Sequence, residues 1–144
     1  MEVGIVLEDD IETIESGYEF LLAYAAQGRP AAVETGPGPH ARPTIQNMAE
    51  AMANVVRQFS DSSDGLENVI AHDCLNAGAA LEFILRQKKV GSEMVDNLNA
   101  SIHLRAVLTD LFLYSEVLKP TTADELAAAA PSVVETFDAT KNKD

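Results

Sequence analysis

The sequence predicts an all-α protein, a four-helix bundle of the antiparallel, up-down type. Three observations point there. Apolar residues recur at three- and four-residue spacing through four long segments, which is the pattern of amphipathic helices. Glycine, proline and capping residues punctuate the ends of those segments. Strand-like alternation is missing beyond the opening residues. The bundle is expected over residues 1–120, with an acidic, alanine-rich tail over 121–144. At 144 residues, 47% of them hydrophobic, the chain is long enough to enclose a core.

Residues 1–8 read as a short strand or an ordered arm. Asp9 and Asp10 are expected as N-caps of helix one, with acids in the first turn where the helix dipole favours them. Ile11, Ile14, Tyr18, Leu21, Leu22 and Ala25 supply its apolar face, and Glu12, Glu15 and Glu19 another. Gly28 and Pro30 stop it. The stretch "RPAAVETGPGPHARP" at 29–43 forms a long Pro/Gly loop, whose length implies disorder or a functional segment. Helix two follows Pro43 with Thr44 as its cap. Its buried stripe is Ile45, Met48, Met52, Val55, Val56 and Phe59. Asp64 and Glu67 make a capping box for helix three, which is expected over 66–89. Gly91 and Ser92 separate it from helix four, expected to run unbroken to Lys119. In the tail, Thr122 and Glu125 cap a short helix that Pro131 interrupts.

Helices three and four are apolar on two sides. One face of helix three gathers Leu66, Ile70, Cys74, Ala77, Leu81, Ile84 and Leu85, while Leu75 and Phe83 fall elsewhere on its circumference. In helix four, Val95, Leu98, Ile102, Ala106, Leu113 and Val117 make one stripe. Leu104, Val107, Leu111 and Leu118 make another. Either helices one and two cover both sides of a central hairpin, or the hairpin packs against that of a second copy. The extent of the second stripe favours a homodimer. Its expected interface is Leu104, Val107, Leu111 and Leu118 with Leu75 and Phe83.

Net charge is −13, which argues against nucleic acid and anionic membrane surfaces as partners. Cys74 is the only cysteine, so the chain has no internal disulfide and no cysteine-based zinc cluster. The start lacks the basic flank and apolar run of a signal peptide, and no apolar stretch is long enough to cross a bilayer. Cytoplasm is the expected location. There is no glycine-rich nucleotide loop, and His40, His72 and His103 lack the spacings of zinc or di-iron sites. No cofactor or metal is therefore expected. His40 is expected to be solvated and His103 half-buried.

The segment "AHDCLNAGAALEF" at 71–83 holds the chemistry-bearing candidates. His72 lies off the main apolar stripe of helix three. Asp73 projects toward that stripe and needs a partner, with Arg105 or His103 on helix four as candidates. The wider stretch "VIAHDCLNAGAALEFIL" resembles the phosphoacceptor helix of sensor histidine kinases, and "VDNLNASIHLRAVLTDLFLYSEVL" resembles the returning helix of their dimerisation hairpin. The resemblance implies His72 as phosphoacceptor, Asp73 as the neighbouring orienting acid, and Asn76 as a polar partner. It also implies a receiver domain as the second protein. With no ATP-binding domain, such a chain relays phosphate and does not make it.

Two functions are thus expected. The first is a non-catalytic adaptor, regulatory or assembly protein that binds another protein. The second is His-Asp phosphotransfer through His72.

Overall fold

A computed structural model describes residues 2–118, with side chains from 7 to 117. Five helices follow in order: α1 Glu2–Ala25, α2 Ala41–Phe59, α3 Gly65–Leu85, α4 Ser92–Ala100 and α5 Ile102–Leu118. The described residues are all-helical apart from one isolated antiparallel bridge, Ala32 with Val90. With five helices, the four-helix up-down arrangement is not established. No described helix is long and apolar enough to cross a membrane. The expected tail over 121–144 lies outside the described residues.

Residues 2–8 are helix, not strand. Leu7, Ile11, Ile14 and Leu21 are all buried, and their spacing of four, three and seven is a single helical stripe. The opening apolar run simply joins that stripe in phase. Asp9 and Asp10 therefore sit inside α1 and do not cap it. Gly17 lets α2 approach: a Cβ there would lie 2.5 Å from Met48 Cγ.

α2 begins at Ala41, two residues before Pro43. Proline is tolerated in a first turn because the N–H groups there have no intrahelical acceptor. Ile45, Met48, Met52, Val55 and Phe59 are buried as their spacing requires. Thr44 lies inside the helix, so it is not the cap.

α3 starts as expected. Asp64 Oδ1 accepts the Glu67 N–H at 3.0 Å. The Glu67 carboxylate turns toward Ser62. It accepts from the Ser62 hydroxyl at 2.6 Å, and Ser62 Oγ in turn accepts the Asp64 N–H at 3.0 Å. The helix ends at Leu85, four residues short of Lys89, because the chain then turns to pair Val90 with Ala32.

The segment expected as one helix over 92–119 is broken at Ser101, whose ψ of 130° is extended. The Ser101 hydroxyl accepts the His103 N–H at 3.3 Å, as an N-cap would. The break resets the helical phase. Val95 and Leu98 are buried on α4, but Ile102 of the same expected stripe is 75% exposed, and the core set on α5 is Leu104, Val107, Leu108 and Leu111. Three residues expected at a dimer interface, Leu104, Val107 and Leu111, are thus 0% exposed within the single chain. They are core residues here. The side chain of Leu118 lies outside the described residues.

α2 packs against both α1 and α3, and α4 packs against α1. Among the described residues, 2–112 form one compact unit and 113–118 fall to a second. Of the second, the end of α5 is described, with Leu113 and Val117 exposed.

Candidate functional site

α3 carries the expected cluster. His72 and Asn76 are exposed, one turn apart on the helix. Leu75 and Phe83 are each 56% exposed, so neither encloses the His72 imidazole. Asp73 is half-buried. The expected basic partners do not reach it: His103 and Arg105 are both exposed on α5. The half-buried position expected for His103 is not found, because the phase reset at Ser101 turns it outward.

The partner of Asp73 is another acid. Its carboxyl hydrogen-bonds the Asp110 carboxyl of α5, across the α3–α5 seam. Burial raises the Asp110 carboxyl, and the hydrogen bond and negative charge of Asp73 raise it further, to about 7. A neighbouring carboxylate disfavours ionisation of Asp110, which therefore keeps its proton to higher pH. Asp110 Oδ2 is buried with no hydrogen-bond partner. Cys74 is buried beside the pair. Burial, and then the charges of Asp73 and Asp110, push its thiol up to about 12. Such a thiol is not a nucleophile at neutral pH.

A second cluster, not foreseen from sequence, lies where the α1–α2 loop meets the α3–α4 turn. Glu34 Oε2 accepts the Ala41 N–H at 2.6 Å and the Tyr24 hydroxyl at 2.9 Å, while Oε1 accepts the Arg42 N–H at 2.9 Å. It caps α2 from within the loop, because His40 at the N-cap position makes no side-chain cap. Burial acts to raise the Glu34 carboxyl, but the two backbone N–H groups and the tyrosine hydroxyl hold it below its ordinary value. Burial and the bond to Glu34 push the Tyr24 hydroxyl up to about 12.

The rest of the loop is equally tied. Ala32 and Val90 exchange two backbone hydrogen bonds, at 2.9 and 3.1 Å. Ser92 Oγ donates to the Tyr24 carbonyl at 2.9 Å and accepts the Arg29 N–H at 2.7 Å. The Arg42 guanidinium donates to the Leu85 carbonyl at 2.6 Å and to that of Gln87. Gly91 passes so close that a Cβ would lie 2.6 Å from Ala31 N. The loop is a built element, not a disordered one. His40, expected to be solvated, is half-buried, and its Nε2 is buried without a partner. A cleft of about 270 Å³ opens beside this network.

A third feature is a shallow groove between α2 and α3, with a volume of about 360 Å³. Buried Met52 and Cys74 form its floor. Among the described residues no group of three or more His, Cys, Asp or Glu side chains is placed to hold a metal ion.

No protein-family model, curated protein or solved structure matches the chain.

Proposed function

We propose that the protein is a cytoplasmic, non-catalytic adaptor or regulatory protein that acts by binding another protein. One observation carries this: large apolar side chains stand in water on two helices. Val69 and Phe83 on α3 and Ile102 and Phe112 on α5 are each between 47% and 75% exposed. Single exposed apolar residues are ordinary. Four of this size in a chain whose 23 acids otherwise mark its surface support contact with a partner. The net charge favours one that presents basic residues around an apolar anchor. The test is affinity capture from the native host with wild-type, Phe83→Glu and Phe112→Glu baits. A partner held by wild type and lost by either variant supports the proposal, and identical recovery by all three overturns it.

A second function rests on the exposure of His72. Phosphoryl transfer from a receiver aspartyl phosphate to an imidazole breaks the donor P–O bond and forms P–N, which requires an approachable neutral ring. The small residue two turns along the same face, Ala79, leaves room for a receiver domain, and Asp73 and Asn76 flank the ring along the helix. Incubation with a phosphorylated receiver is the test. Phosphate loss that is faster with wild type than with His72→Ala supports transfer, and equal loss excludes it.

A further inference from the structure

We propose that the groove between α2 and α3 is the docking surface for a second copy of this chain, paired about a two-fold axis. The proposal rests on the reading that the protein works through protein contacts, and it moves self-association away from the α5 residues expected to support it.

The groove is apolar in its middle and charged at its ends. Ala53, Val56 and Gly78 line its walls, and Leu75, 56% exposed, borders it. α2 and α3 are consecutive, packed helices joined by the short 60–64 connection, so they run antiparallel. Arg57 therefore lies at the end of the groove near Cys74, and Glu82 at the end near Ala49. Eight residues of helix set those ends roughly 12 Å apart.

An interface between identical copies must be self-complementary, and this surface has the required parts side by side. A two-fold axis that exchanges the ends brings Arg57 of one copy to Glu82 of the other, twice. The same operation carries each Leu75 toward the groove of its mate. Charge decides the occupant. Two chains of net charge −13 repel over most of their surfaces, whereas the groove lining holds one cation and one anion. It is a locally neutral patch on an acidic molecule. The Arg57 guanidinium donates to Asn54 and has further N–H groups to offer.

Gly78 supplies an independent reason. Glycine inside a helix costs about 1 kcal/mol relative to alanine, and its own fold does not require one here. Its φ is not positive, and a Cβ added to it meets nothing within 4 Å. Close approach from outside the chain accounts for it.

The experiment is sedimentation equilibrium of the full chain over micromolar concentrations at neutral pH. Wild type is expected to sediment as a dimer. Gly78→Leu, whose Cβ meets nothing within 4 Å and whose side chain occupies the groove, is expected to be monomeric and to keep the wild-type circular dichroism spectrum. Arg57→Glu is expected to raise the dissociation constant by about tenfold or more, since each dimer loses two pairs. Arg57→Glu combined with Glu82→Arg is expected to restore most of it. A wild-type monomer throughout overturns the proposal and leaves partner capture by Phe83 and Phe112 untouched. A dimer indifferent to Gly78→Leu and to the charge exchange also overturns it.

Discussion

The loop end and the α3–α5 seam each hold a half-buried carboxylate, and the two respond in opposite ways. Burial penalises the charge of Glu34 and of Asp110 alike. Glu34 meets three donors and stays ionised. Asp110 meets a second carboxylate and holds a proton until about pH 7. The sign of each shift therefore comes from the partner, not from the depth of burial. At one end of the molecule an acid organises the chain around itself. At the other it is tolerated because apolar packing on α5 outweighs its cost.

The strongest challenge to that contrast is to weaken the packing. Leu111, fully buried one residue beyond Asp110, is expected to lose about 2–5 kcal/mol on substitution by alanine. Urea unfolding at pH 6 measures it, and a loss under about 1 kcal/mol would mean that packing does not hold the seam.

Glu34→Ala comes next. It leaves the Ala41 and Arg42 N–H groups and the Tyr24 hydroxyl without their acceptor, at a cost of about 2 kcal/mol. The same titration reads it, with faster hydrogen exchange expected at the start of α2. An unchanged midpoint would show that water replaces the carboxylate freely.

Asp110→Asn sharpens the comparison through pH. The folded carboxyl lies above its ordinary value of 3.8, at about 7. Its contribution is complete below about pH 4 and is lost as pH rises through 7. Glu34 lies below its ordinary 4.5, so its contribution is present above that value and is lost as pH falls. Wild type is expected to be most stable between these limits. At pH 8 Asp110→Asn is expected to gain on the order of 1–2 kcal/mol, and the decline that wild type shows between about pH 4 and 7 should flatten in the variant. Parallel profiles for the two proteins would show that Asp110 is not raised by its neighbour.

Asp64→Ala gives the smallest effect and serves as a reference for an exposed cap. Loss of its bond to the Glu67 N–H should cost about 1 kcal/mol. A cost matching that of Glu34→Ala would erase the distinction between a cap made at the helix start and one reached from a loop.

Much of the helical framework was legible because it depends on local periodicity. The stripe from Ile45 to Phe59 on α2 and that from Ile70 to Ile84 on α3 are buried as their spacing dictates. The structure departs from the sequence expectation where long-range contacts set the outcome. Ser101 is the local sign of a break, a small hydroxyl residue before an apolar run, and a helix continued through it turns the α5 core to the wrong face. Once that phase was lost, the meeting of Asp73 with Asp110, which lie on different helices far apart along the chain, was out of reach. Glu34 looked like an ordinary solvated acid in a Pro/Gly stretch, since its donors come from Tyr24 on one side and Ala41 and Arg42 on the other. The exposure of His72 followed from its position off the stripe.

The stitching of residues 29–34 to 90–92 has a practical consequence for anyone who re-engineers this chain. Composition marks the Pro/Gly connection as the natural place to insert a tag, a reporter or new termini, yet a graft into its first residues, 29–32, parts Ala32 from Val90 and Ser92 from Arg29. The turn at Asp61–Ser63, mostly open to water and bonded to the end of α2 and the start of α3 that it joins, is the better splice point.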